Sequence, residues 1–415
     1  MENCPEFTSD SFLPFPNNSE IPDGDKRNFK KHDNFKQQKI KKDLMKMCLE
    51  GTDQPWKKKP QYNYGVVGLH EEIEDFFETM CPKPQETELR LKVIEHITRI
   101  VHSLWPLAQV EIFGSFRTGL YLSSSDIDMV IFGEWKNLPL NTLGEAFERN
   151  GILKSDINII AKAAVPIIRI VHSPSNIRVD ISFNMSNGVE SAKLIKKLIK
   201  EHPTLPKLVL VLKQYLVHRG FNEVYNGGMS SYCLTLLIVS LLQGYHKPDF
   251  IPSLNLGTIL LEFFEHYGIN FNYDKVSIHF QEGGLYKPRS FAPRTGNVLS
   301  VEDPLVKGHD VAKGTYLMHL LKMSFQNAFH VLSKAVIESG ASKIPVNSYL
   351  HLILQVDKEV ISKRESMLNN HSQLMRKLSN LIDKIHDGQS ISNSTFFSST
   401  PVLKTKSFSK RKRTK

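Results

Sequence analysis

Cysteine is scarce: Cys4, Cys48, Cys81 and Cys233 are the only four in 415 residues, and none forms a C-x-x-C pair. That spacing suits neither a disulfide framework nor a zinc site, and it fits a reducing compartment. Long apolar runs are missing as well. The longest, "YCLTLLIVSLL" (232–242), is too short for a bilayer, which takes roughly 20 residues, so it reads as a buried core helix. The opening "MENCPEFTSDSF" lacks the basic-then-apolar order of a secretory signal. No internal repeat, RRM signature, KH loop or zinc-finger spacing is present. Gly114 and Gly119 have the interval of a P-loop, but Leu120 and Tyr121 stand where its Lys-Ser/Thr pair belongs. An EF-hand is excluded because no glycine follows the acidic pair "DID" at the required place.

What the sequence does have is unevenly spread charge. The net charge is +10. Residues 1–24 hold five acidic residues and no Lys or Arg, 26–59 hold twelve Lys/Arg against four acids, and 402–415 hold seven Lys/Arg and no acid. Basic ends of this kind suit a polyanion such as nucleic acid, or simply solvated tails. Residues 1–60 are polar and without apolar period, and are expected to be disordered, with a basic second half. The chain is long enough for two or three domains.

Between the ends the period changes. Val93, Ile94, Ile97, Ile100, Val101 and Leu104 recur at i, i+3, i+4 and predict a helix over 86–104, bracketed by Pro84 and Pro106. "VEIF" (110–113) and "DIDMVIF" (126–132) read as strands. "AVPIIRIV" (164–171) and "IRVDISF" (177–183) read as a hairpin across "HSPSN". Helices follow at 189–200, 205–218, 230–243 and 255–267, the last opening on Asn255 and stopping at Gly268. A further amphipathic stretch covers 312–337. An isolated helix is expected within 350–385, and 341–415 reads as a polar, partly disordered basic tail. The fold class is α+β: a small mixed unit over 86–188, then a helical unit over 189–340.

The chemistry-bearing residues lie in "EIFGSFRTGLYLSSSDIDMVIF" (111–132). On a strand, i and i+2 share a face, so Asp126 and Asp128 project together while Ile127 and Met129 face the core. Asp180 shares a face with Arg178 and Ser182. If the two strands are neighbours, three carboxylates converge. Such a cluster repels itself unless cations intervene, and hard divalent ions prefer these oxygen ligands. Gly114 and Ser115 stand ten or more residues earlier, where a glycine lets a backbone approach a phosphate and the next N–H and hydroxyl can hold its oxygens. A lone D-x-D is more often a turn and surface pair; the Gly-Ser ahead of it and the later Asp raise the functional reading.

An apolar residue, Gly-Ser, an interval, Asp-x-Asp and a later Asp in an apolar strand resemble the DNA polymerase β-like nucleotidyltransferase superfamily. "FGSFRTGLYL", "SDIDMVIFGEW", "VDISFN", "LVLVLKQYL", "LLEFFEHYG" and "EDPL" are similar to one branch, the topoisomerase-related-function poly(A) RNA polymerases of nuclear RNA surveillance. The resemblance covers roughly 62–335. It implies a polymerase β-like palm domain with a short mixed sheet over 86–188 and a helical central domain over 189–340, to which residues 61–85 return as a joining helix. The nucleotide is expected between them. It also implies template-independent addition of AMP from ATP to RNA 3′ ends, two Mg²⁺ or Mn²⁺ ions held by Asp126, Asp128 and Asp180, and Asp180 helping to deprotonate the 3′-hydroxyl. Gly114 and Ser115 match the triphosphate contact, Asn187-Gly188 the ribose-side loop, and Lys213 a phosphate-binding lysine. Ser231 matches a phosphate-contacting hydroxyl, Tyr232 the aromatic that stacks on the base, and "EDPLVKGHDVAK" (302–313) the loop that reads the base edge. Two positions depart from the branch, which usually has Asn then Arg where this chain has His309 and Lys313. A histidine at the first is similar to uridylyl-adding relatives, so base choice has two readings, ATP and UTP. Lys313 keeps the charge but loses the bidentate fork. Implied partners are RNA 3′ ends, a zinc-knuckle RNA-binding protein and an RNA helicase, with the exosome downstream and no membrane. The basic tails and the cleft are expected to contact phosphates, and "KSFSKRKRTK" suits a nuclear address. A catalytically weak RNA-binding scaffold is the alternative from another class.

Overall fold

The computed structural model describes residues 53–161, 165–244, 255–280, 286–289 and 299–387. The expectations for 1–52 and for the basic tail from 388 onward lie outside the described residues.

Two apolar cores organise the chain. The first belongs to a five-stranded sheet: β1 (Gln109–Phe113), β2 (Ile127–Phe132), β3 (Asn158–Ile160), β4 (Ile167–Val171) and β5 (Arg178–Phe183) in the order β1-β2-β5-β4-β3. Only β2 and β5 run parallel. The short polar segment between β4 and β5 makes them the expected antiparallel hairpin. Alternation puts Ile127, Met129 and Ile131 with Val179, Ile181 and Phe183 on the covered face. Over them lie α2 (Pro84–Leu104), through Leu89, Val93, Ile97 and Ile100, and α4 (Leu140–Arg149), through Leu143 and Phe147. Helix α2 starts where expected: Pro84 fixes the first turn, and the Glu86 carboxylate accepts from the Lys83 backbone N–H at 2.8 Å. A short α3 (Gly114–Thr118) follows β1 directly.

The second core is helical. It joins α5 (Asn187–Glu201), α6 (Leu205–Arg219), α7 (Ser231–Gln243), α8 (Leu256–Glu265) and α9 (Met318–Ser342). The upstream helix α1 (Gly65–Met80) lays Leu69, Ile73 and Phe76 into this core rather than against the sheet. Ser230 caps α7 by accepting from the Cys233 N–H at 3.1 Å, and Asn255 caps α8 by accepting from the Thr258 N–H at 3.0 Å. Gly268 does not end the helix that begins there. The backbone continues as a π turn, His266–Asn270, and a Cβ on Gly268 would fall 2.5 Å from the backbone N of Gln326. The glycine is thus a close-approach point for α9. Helix α9 itself begins at Met318, six residues later than its periodic pattern.

Two stretches of polar composition pack more closely than their sequence suggests. Trp56, in the Lys-rich stretch expected to be disordered, is fully buried and donates its indole N–H to Glu72 at 2.9 Å. Residues 344–387 are not an isolated helix. Val346 pairs with Tyr62, and the buried Glu72 carboxylate accepts from the Tyr349 and Leu350 backbone N–H groups at 2.5 and 3.0 Å. Helices α10 (Lys358–Asn369) and α11 (His371–Asp387) then run back over the sheet domain. Arg364 of α10 donates to the Thr79 and Cys81 carbonyls at 2.6 and 2.7 Å and to the Glu86 carboxylate, and Leu378 of α11 enters the sheet-domain core. Arg364 and Leu378, with Met367, Leu374, Met375 and Ile385 against the same core, thus fasten a segment whose mean composition reads as a tail. No helix among the described residues is long and apolar enough to cross a membrane.

Candidate active site

The sheet register brings the sequence's separate carboxylates together. Asp128 of β2 lies directly across the parallel pair from Asp180 of β5, Phe113 of β1 flanks Asp128 on the other side, and Arg169 of β4 lies opposite Asp180. Asp126 is two residues ahead of Asp128 and so on its face. The two strands are therefore neighbours, with Asp128 and Asp180 side by side and Asp126 just ahead of β2.

Two arginines occupy two of the three acids. Arg169 forks onto Asp180, Nε to Oδ1 at 2.8 Å and Nη2 to Oδ2 at 2.7 Å. Arg178 donates Nε to Asp126 Oδ1 at 2.5 Å and Nη2 to the Ser124 carbonyl at 3.0 Å. Asp128 has no such fork. Burial pushes its carboxyl up to about 7, and the neighbouring Asp180 and Asp126 carboxylates push the same way, against Lys213 and Arg169. Burial likewise brings the Lys213 ammonium down to about 8, against the attraction of Asp128; its Nζ donates to the Leu120 carbonyl at 2.8 Å. Behind the loop, Arg90 of α2 donates to the Ser123 and Ser125 carbonyls at 3.0 and 2.8 Å and lies over the Tyr121 ring, splinting the chain that leads into Asp126.

Gly114 is at φ +64°, and a Cβ there would lie 2.0 Å from Asp128 Oδ2. The backbone after β1 therefore touches the acid row, which only glycine permits. Ser115 follows it into the same space.

Two adjoining cavities meet here. The larger, about 1390 Å³, is lined by Ser115, Asp126, Asp128, Asp180, Lys213 and Ser231, and across from them by residues 355–358 and 360–362. The smaller, about 320 Å³, is lined by Gly114, Ser115, Asp128, Gly188, Lys213, Ser231 and Tyr232. Nine of the expected residues thus converge. Asn187, His309 and Lys313 line neither cavity. Asn187 is the exposed first residue of α5, and Lys313 is exposed. His309 is nevertheless one residue removed: the Tyr232 hydroxyl donates to Asp303 Oδ1 at 3.1 Å, and His309 Nδ1 meets Asp303 Oδ2 at 3.1 Å. Burial and the Asp303 carboxylate push the Tyr232 phenol up.

Arg169, Arg178 and the 355–365 wall were not singled out as site residues from the sequence. Alternation already put Arg178 on the face of Asp180, and a hairpin register would have found Arg169. Nothing local marks 355–365. The cleft lining includes seven Asp/Glu and four Lys/Arg.

Comparison with known proteins defines the class. Residues 69–200 match the family model described as the central palm domain of mitochondrial-like poly(A) RNA polymerase, and residues 255–309 that of the Cid1 family poly A polymerase. The palm with its acid row is that of a nucleotidyltransferase. The chain is 37% identical to the inactive poly(A) RNA polymerase protein Trf4-2 of Drosophila melanogaster, over 79% of this chain and 84% of that one. It is 39% identical to the poly(A) RNA polymerase CID14 of Cryptococcus neoformans and 34% identical to poly(A) RNA polymerase protein 2 of Saccharomyces cerevisiae, over 65% and 64% of this chain. It spans only 37% and 48% of those two fungal proteins. The solved polymerase core of TRAMP, an RNA surveillance complex, superposes with TM-score 0.61 at 32% identity, over 69% of this chain and 94% of that one. The Cid1 poly(U) polymerase shares the fold, with TM-score 0.57 at 19% identity, over 69% and 99%. The chain belongs to the Trf-type poly(A) RNA polymerase family.

The Cid1 poly(U) polymerase has been solved with MgGTP and with a UTP analogue, so the acids here can be tested as holders of a divalent cation. The chemistry of the donors fits: three carboxylates line one cavity, and carboxylate oxygens are what a hard cation takes. In the arrangement seen, Asp126 and Asp180 are engaged by arginines, and among the described residues no group of three or more His, Cys, Asp or Glu is gathered closely enough to hold an ion.

Proposed function

We propose that this chain adds nucleotides, one at a time and without a template, to RNA 3′ ends, with AMP from ATP as the primary reaction. The observation that carries the reading is the Asp128–Asp180 row at the junction of the two cavities, with Asp126 beside it. The smaller cavity, with Gly114, Ser115, Gly188, Ser231 and Tyr232, takes the nucleoside triphosphate. The larger takes the RNA end. The 3′-oxygen attacks the α-phosphorus in line, the P–O bond to pyrophosphate breaks, and the hydroxyl proton passes to the Asp180 carboxylate. Arg169 holds both oxygens of that carboxylate and so fixes its direction. Lys213 offsets charge on the triphosphate. Two Mg²⁺ or Mn²⁺ ions held by Asp126, Asp128 and Asp180 would stabilise the attacking and leaving oxygens. Positioning in the cleft accounts for much of the remainder. Asn187 and Lys313 act, on this reading, only if nucleotide binding draws their segments inward.

The test is primer extension of an oligo(A) RNA with each triphosphate separately. Asp126→Ala with Asp128→Ala is expected to abolish extension while the melting transition persists; full activity in that variant would end the proposal. A second reading, uridylyl addition, is favoured by His309 on the same carboxylate as Tyr232, and the UTP lane decides it. The first-named relative is described as inactive, so the same assay also decides against or for a non-catalytic scaffold; the three intact aspartates argue for activity. A zinc-knuckle RNA-binding protein and a helicase in a surveillance complex, with the exosome downstream, and a nuclear location complete the proposal. Support comes from the likeness to the TRAMP polymerase core.

A further inference from the structure

The 302–313 loop is held from two sides. Glu302 and Asp303 are neighbours, and their carboxylates go opposite ways. Asp303, buried, meets Tyr232 and His309. Glu302 points to the hairpin of β6 (Val276–Ile278) and β7 (Tyr286–Pro288). There His279 Nδ1 makes a short contact with Glu302 Oε2, while Glu302 Oε1 accepts from the Gly308 N–H at 3.1 Å. His279 Nε2 is 2.7 Å from Ser277 Oγ, whose own proton goes to the Lys287 carbonyl at 3.3 Å. A carboxylate only accepts, so Glu302 takes the His279 ring N–H on one oxygen and the Gly308 N–H on the other, tying the imidazole and the turn to one side chain. The loop closes through the Asp303 N–H to the His309 carbonyl at 2.8 Å. A chain of contacts therefore runs from Ser277 through His279, Glu302 and Gly308 to His309, whose side chain faces the carboxylate shared with Tyr232.

We propose that His279 is a positioning residue for base selection: its hydrogen bond to Glu302 fixes the Gly308 turn and so the place of His309 beside Asp303 and Tyr232. His279 touches neither cavity and acts through the loop alone. This rests on the reading of 302–313 as the loop that faces the base. A charge-assisted bond on a carboxylate that also caps a turn is worth more than a neutral one, and its loss frees the residue next to the turn.

The experiment measures kcat/KM for ATP and for UTP on an oligo(A) primer in full-length wild type, His279→Ala, His279→Gln, His279→Arg, His309→Ala and the His279→Ala/His309→Ala pair. Residues in one network couple, so His279→Ala is expected to move the ATP:UTP ratio toward one, by roughly fivefold or more. His279→Gln and His279→Arg each keep an N–H for Glu302 and are expected to restore it. His309→Ala should move the ratio as well, and the double variant should add nothing to His309→Ala. A merely structural role would lower both rates alike and leave the ratio. Retention of the wild-type ratio in His279→Ala, with His309→Ala shifted, overturns the proposal alone. Additive effects in the double variant, or no rescue by either donor, overturn it too. An unchanged ratio in His309→Ala overturns the reading of the loop, and the proposal with it.

Discussion

Gly114→Ala is a small change with a large expected effect. The position is at φ +64°, so any Cβ meets the left-handed penalty, about 1–2 kcal/mol. The added methyl would also lie 2.0 Å from Asp128 Oδ2 and 2.8 Å from its Cγ. Either Asp128 turns out of line with Asp180, or the Gly114–Ser115 backbone backs away and carries the proposed triphosphate contact with it. A displacement of about 1 Å in a reacting group costs on the order of 100-fold in rate. The stability cost is much milder, a fall in Tm of about 2–8 °C for 1–2 kcal/mol in a domain of this size class. Single-turnover primer extension and a thermal scan report the two separately. The clash has a partner, so a cycle isolates it: in an Asp128→Ala background, Gly114→Ala should cost only the backbone strain. A Gly114→Ala enzyme extending primer within about threefold of wild type would refute the cradle, because a misplaced acid does not keep its rate.

Asp128→Asn removes a buried charge held against two like charges and should raise the Tm by a few degrees without divalent cation, while ending extension; a lower Tm would contradict the electrostatic account. Arg364→Ala strips two carbonyls and a buried Glu86 of their donor. It is expected to cost about 3–5 kcal/mol and to open 344–387 to protease, and unchanged proteolysis would show that α10 and α11 are held otherwise. The buried pair His96 and His172, Nδ1 to Nε2 at 3.0 Å, is brought down by burial to about 4 and about 3. The folded protein then refuses protons that the unfolded chain accepts near pH 6.5. Stability is full above that pH and falls below it, by up to about 3 kcal/mol per histidine at pH 4. Urea midpoints between pH 7 and 4 measure this, and a flat profile would refute it.

How much of this was legible in the chain follows the range of each interaction. Alternation is local, and it located Asp126, Asp128 and Asp180 and the faces they share. Helical period is local too, and it placed α2 and α5 to α8 within a few residues. What failed was set at long range. Trp56 lies in a lysine run, and its burial rests on partners outside that run, Phe76 against its ring and the Glu72 carboxylate on its indole N–H. Arg364 looks like one more charge on a polar helix until Glu86, nearly three hundred residues away in sequence, pairs with it. Gly268 looked like a stop because the backbone of α9 that it accommodates is not nearby in sequence. Arg169 carries no mark of its own in the sequence, and its place beside the acids comes from one register, β4 against β5, which sets its guanidinium opposite Asp180. His309 was flagged by resemblance alone, and the fold adds the physical link through Asp303.

The electrostatics of the cleft explain why such a site would need added cations at all. Its lining carries Asp53, Asp126, Asp128, Asp180, Glu223, Asp357 and Glu365 against Arg169, Arg178, Lys213 and Lys358, seven acids to four bases. Two of those bases are already spent on Asp180 and Asp126. The substrates are themselves polyanions, a triphosphate and an RNA end. Unit charges 4 Å apart interact by about 4 kcal/mol at an effective dielectric of 20, so each unbalanced phosphate oxygen near Asp128 would cost several kcal/mol. Lys213 alone does not offset that, and its ammonium already spends one donor on the Leu120 carbonyl. Divalent ions held by Asp126, Asp128 and Asp180 would offset that charge and make the acids ligands rather than a repulsive wall. A site built in this way should bind nucleotide weakly without divalent cation, and isothermal titration of ATP into the protein with and without Mg²⁺ measures it. Equal affinity in the two would mean that the acid row is not where the triphosphate goes.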